Sequence, residues 1–114
     1  MPATKGPAWT IASGSAISDA LDMGASPDAF GGLAGFVMPA AFTGASVTFQ
    51  VSADDSTYQA LYNSSNSQVS ITVSASRSYA LLQDVRSCLQ MWRYVKIVSA
   101  SNEGGARTIV AVYR

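Results

Sequence analysis

The chain has 114 residues, 48% hydrophobic and 12% charged, with seven basic and seven acidic side chains that balance to zero. That length sets one domain as the default, large enough to bury a core without disulfides or metal. So few charges, evenly balanced, exclude the clustered basic face of a nucleic-acid binder, and no stretch approaches the ~18 apolar residues of a membrane span.

The charged share is about half the usual value of roughly 25%, and Ser, Thr, Ala and Gly take its place. Two readings follow. The chain is covered by neighbouring molecules, or it is a free β-sandwich with a Ser/Thr-rich outer face. The acids lie mostly in the first half (Asp19, Asp22, Asp28, Asp54, Asp55). The bases lie mostly in the second (Arg77, Arg86, Arg93, Lys96, Arg107, Arg114). That asymmetry suggests one acidic and one basic end. The single cysteine, Cys88, forms no intrachain disulfide and needs no oxidising compartment. The opening MPATKGPAWT has no apolar segment and does not read as a secretory signal, so synthesis in the cytoplasm is expected.

Residues 1–8, with Pro2, Gly6 and Pro7, read as a flexible or docked arm, and residues 9–114 as the single domain. A first strand begins at 9–11, and a second is expected over 17–23. Residues 24–32 mix Gly, Ser, Pro and Asp as a loop. An apolar run over 33–38 stops at Pro39. Residues 46–52 then alternate without a fault, with Val47, Phe49 and Val51 on one face and Ser46, Thr48, Gln50 and Ser52 on the other. The acidic pair Asp54-Asp55 closes that strand as a turn. Short strands are expected over 58–62, 68–73 and 78–82, with a polar loop over 63–67. Leu82, Val85 and Leu89 share helical spacing, so a turn or two of helix is expected over 83–90. Residues 92–99 and 108–113 read as strands around a loop at 101–106. Both are apolar in either register, which suggests strands covered on both faces, by another subunit or by the arm. The whole is all-β: an antiparallel β-sandwich, jelly-roll-like, of about eight strands with one short helical turn.

Catalytic chemistry has little to work with. Without histidine there is no Ser-His-Asp or Cys-His arrangement and most transition-metal sites are lost. Gly31-Gly32-Leu33-Ala34-Gly35 lacks the following helix of a phosphate cradle. Asp54-Asp55 could bind Ca²⁺ or act with Asp28, but adjacent residues in a tight turn point apart, so turn chemistry is the simpler reading. Glu103, beside Gly104-Gly105, reads as a solvated loop charge. Trp9, Trp92, Tyr58, Tyr62, Tyr79 and Tyr94 are either core and interface aromatics or a sugar-stacking platform, the first being the more usual use. No enzyme activity, cofactor, metal or small-molecule substrate is expected.

The strings Trp9-Thr10-Ile11-Ala12-Ser13-Gly14, Ile17-Ser18, Leu21-Asp22, Gly35-Phe36-Val37-Met38-Pro39-Ala40-Ala41-Phe42 and Thr48-Phe49-Gln50-Val51-Ser52-Ala53-Asp54 resemble a group of small tailed-bacteriophage virion proteins. Trp92-Arg93-Tyr94-Val95-Lys96-Ile97 and the end of the chain from Arg107 to Arg114 continue the resemblance. The group usually has Asp-Gly where this chain has Asp54-Asp55. The resemblance implies a capsid cement, or decoration, protein of the virion surface. Such a protein would bind the major capsid protein and assemble as a homo-oligomer, a trimer. It would touch neither nucleic acid nor membrane. The alternative is a tail or head-fibre component that grips host glycan. The expected interface residues are Pro2, Lys5 and Pro7 of the arm, with Trp9, Phe42 and Trp92 as interface or core anchors.

Overall fold

The computed structural model describes residues 4–22, 33–90 and 92–113. Pro2, Asp28 and the loop expected over 24–32 lie outside the described residues, as do the side chains of Lys5 and Pro7. The strands are β1 (Thr4–Ile11), β2 (Ile17–Asp22), β3 (Leu33–Val37), β4 (Ser46–Ser52), β5 (Gln59–Ala60), β6 (Ser70–Thr72), β7 (Ser78–Ala80), β8 (Tyr94–Ser99) and β9 (Arg107–Tyr113), with one helix, α1 (Gln83–Gln90). All the strand pairs are antiparallel. They form one path, β5–β4–β8–β2–β1–β9–β3–β7, with β6 also on β4, that curls into a half-barrel. The curl has a corner at β1–β2, where a single residue pair, Ile11 with Ser18, joins the two halves.

Period-two alternation places the core inside the curl. Val47, Phe49 and Val51 of β4 face it with Val95 and Ile97 of β8, and from the other half Trp9, Ile11, Phe36, Ile109 and Ala111 meet them. Trp9 bridges the halves directly: its buried indole N–H donates to the Val95 carbonyl at 2.9 Å. A buried indole needs such a partner. Leu89 of α1 joins this core, with Val85 and Cys88 packed against it. Leu82 does not continue the stripe; it precedes the helix and is 73% exposed.

Two expectations change. Residues 4–8 are not an arm but the first part of β1, with Thr4, Lys5 and Ala8 paired to Tyr113, Val112 and Val110. Pro7 is tolerated because the register shifts between Lys5 and Ala8, where its missing N–H costs no ladder bond. The strands expected over 58–62 and 68–73 shrink to two and three residues, because β5 and β6 share one edge of β4. β5 takes Gln50 and Val51, and β6 takes Ser46 to Thr48. Between them Asn63 folds the chain back, its side-chain oxygen accepting from the N–H groups of Ser65 and Ser67. Within the chain, one face of β8 is buried, and Tyr94, Lys96 and Val98 on the other are half-buried.

Candidate functional site

The β4–β8 pair carries a chemically distinctive site at each end. At one end β4 begins and β8 finishes, with Val47 opposite Ser99. There Glu103, the only glutamate in the chain, is 1% exposed. Its Oε1 accepts from the Thr43 N–H at 2.8 Å and from Arg107 Nε at 3.0 Å. Its Oε2 accepts from the Ser99 hydroxyl at 2.8 Å and the Gly44 N–H at 3.1 Å. Its backbone also bonds the β1–β2 turn: the Gly14 N–H donates to its carbonyl, and its own N–H donates to the Ser15 carbonyl. One residue therefore ties together the β1–β2, β3–β4 and β8–β9 connections. The expectation of a solvated loop charge fails, because four donors, one of them a guanidinium, offset the cost of taking the carboxylate out of water.

Gly44 is required at that end, since a Cβ there would run into the Ser99 hydroxyl. Burial pushes the Glu103 carboxyl toward its neutral form. The bonds from Thr43, Ser99, Arg107 and Gly44 outweigh burial and hold its pKa below the ordinary glutamate value. Among the described residues no buried side-chain nitrogen or oxygen lacks a partner. The cluster is saturated, and its chemistry is that of a fastening.

At the other end β4 finishes and β8 begins, with Ser52 opposite Tyr94. Asp54 acts as the expected turn residue. Its Oδ1 accepts from the N–H groups of Thr57 and Ser56 and from the Ser52 hydroxyl. These bonds, that of Thr57 foremost, lower its pKa. Asp55 occupies the left-handed region at φ 59°, the position where Asp-Gly turns carry glycine. Its carboxylate accepts from the Tyr58 hydroxyl. Burial first, then the Asp55 carboxylate, raises the Tyr58 pKa. Lys96 lies 4.2 Å from the centre of the Tyr58 ring. Beside this turn is a cleft of about 310 Å³. Trp92, 37% exposed, and Tyr62, 51% exposed, both line it, with Leu61, Val51, Gln59 and Thr57.

The expected anchors Trp9, Phe42 and Trp92 do not form one surface. Trp9 is fully buried and is a core residue, not an interface anchor. Phe42 is half-buried against the core. Trp92 alone of the three is open. Among the described residues acids and bases meet: Arg93 bonds both Asp22 carboxylate oxygens, at 3.0 and 3.1 Å, and Arg107 meets Glu103. No group of three or more His, Cys, Asp or Glu side chains capable of holding a metal is found among the described residues, and no helix among them is long and apolar enough to cross a membrane. Sequence reasoning missed Glu103. The signals were there: Ser99 and Arg107 flank it at four residues on either side, in a chain where charge is scarce.

No protein-family model matches the sequence, and neither a curated protein nor a solved structure shows significant similarity to it.

Proposed function

We propose that this chain is a structural virion protein of a tailed bacteriophage: a capsid cement that sits on the outer shell, binds the major capsid protein and works as a homotrimer without a catalytic step. In this reading the two halves of the curled sheet correspond to the two leaves of a jelly-roll-like sandwich. The observation that carries it is the outer face of β7, β3, β9 and β1. Register sets two rows across these strands: Ser78, Val37, Val110 and Ala8 in one, Ala80, Gly35 and Val112 in the other. Val37 is exposed, and Val110 and Val112 are half-buried. Gly35 allows β7 to run close beside β3, since a Cβ there would meet the Tyr79 carbonyl. A face of small residues, with a cleft of about 600 Å³ beside Arg86, suits repeated contact with a protein lattice, where symmetry makes many weak contacts collectively strong.

Copy number per particle tests the placement. Copies that match the shell lattice support the cement reading. A handful would move the protein to the tail or a head fibre, the alternative placement. Val110→Lys should leave the monomer folded and remove it from the shell; undiminished decoration by that variant would sink the assignment of this face.

A further inference from the structure

The six tryptophan and tyrosine side chains that could have formed one sugar platform are dispersed by the fold. Trp9 is in the core, and Tyr79 packs on Phe36 with ring centres 5.7 Å apart. Tyr58 and Tyr94 lie under Lys96 and Arg93. Trp92 and Tyr62 remain, both open to solvent and both on the cleft at the finishing end of β4. We propose that this cleft binds a neutral saccharide, a mono- or disaccharide unit of a glycan, with Trp92 and Tyr62 as its stacking walls.

The lining selects the ligand class. Aromatic faces carry negative charge density and attract the weakly positive C–H face of a sugar ring. Gln59 and Thr57 offer amide and hydroxyl groups to sugar hydroxyls, while Leu61 and Val51 supply an apolar surface. Among the described residues no charged side chain lines the cleft, so an ionic ligand would lose hydration with nothing to replace it. A wholly apolar ligand would leave Gln59 and Thr57 facing hydrocarbon. A volume of about 310 Å³ is that of a small-molecule site rather than a protein groove. The frame is held on both sides. Gln59 and Ala60 pair with β4, and the Trp92 N–H donates to the Leu89 carbonyl at the end of α1. A saccharide could enter this cleft at either placement in the virion, on the shell or on the tail.

The test uses the full chain, titrated with methyl glucoside, methyl galactoside, methyl mannoside and methyl N-acetylglucosaminide. NMR reads the two indole N–H signals separately, so buried Trp9 serves as an internal reference. At least one glycoside should move the Trp92 signal saturably and leave that of Trp9 in place. Trp92→Ala and Tyr62→Ala should each weaken binding about tenfold or more, and Trp92→Phe, which keeps a ring, should retain part of it. Should Trp92→Ala fail to fold, the Tyr62→Ala and Trp92→Phe titrations decide the question. The proposal is overturned by no saturable shift well above millimolar glycoside, or by undiminished affinity in the aromatic variants. A preference for free indole over every glycoside would also overturn it, and would mark a site for apolar peptide.

Discussion

The two ends of the β4–β8 pair are built from the same strands, about 17 Å apart by strand rise, and they have opposite chemistry. The Glu103 end buries a charge and gives each of its oxygens two donors, drawn from separate parts of the chain. The Trp92 end leaves two large aromatic rings facing solvent across a cleft. A sheet this short can concentrate its fastening at one end and leave the other free for contacts. Stability should therefore be sensitive at the first end, and binding at the second.

The largest expected effect is that of Glu103→Ala. It leaves Arg107 and two backbone N–H groups without their acceptor, and removing one partner of a buried pair costs about 3–5 kcal/mol. Chemical denaturation measures the loss. Hydrogen exchange should quicken at Thr43, Gly44 and the β1–β2 turn before it does near Trp92. A loss below about 1 kcal/mol would mean that the two ends do not differ as described.

Acid is the next lever. The folded pKa of Glu103 lies below its unfolded value of about 4.3, so its stabilisation is fully present above that value and fades as pH falls through the folded pKa. Asp54, at the open end, is shifted the same way but is exposed and contributes less. Glu103→Gln keeps the shape, costs about 1–3 kcal/mol at neutral pH, and should flatten the acid limb of the stability curve. A limb as steep as that of the parent chain would assign the acid sensitivity elsewhere.

The smallest effect is expected at the open end. Asp55→Gly relieves a left-handed φ and removes the acceptor of the Tyr58 hydroxyl, so stability should change by less than about 1 kcal/mol. An ultraviolet titration should show the Tyr58 pKa falling toward the ordinary tyrosine value, as the second of its two main causes is gone.

Much of this architecture is legible in the sequence. Faultless alternation at 46–52 locates β4 and its inward residues, apolar spacing locates α1, and Asp54 reads directly as a turn residue. What local pattern does not carry is competition and distance. β5 and β6 are short because they contend for one edge, which no window of sequence records. Gly6 and Pro7 read as part of an arm, because a bulge opposite a strand a hundred residues away leaves no mark beside them. Trp9 and Ile11 share a strand face, so the burial of Trp9 is readable, yet its link to Val95 is not. Glu103 reads as solvated because its partners are spread over three separate connections.

The pairing of β1 with β9 bears on how the chain reaches this state. β1 meets β2 at one residue pair only, and nearly all its ladder is supplied by β9, the final described strand. A nascent chain therefore holds an apolar strand with Trp9 and Ile11 and almost no partner until synthesis has passed residue 113. Such remote pairing makes folding slow, with the loop-closure entropy met late and the open strand exposed to aggregation in the meantime. The same adjacency brings residues 4 and 113 side by side, so the sheet could be sealed by a short covalent bridge between them and reopened at the polar loop around Asn66.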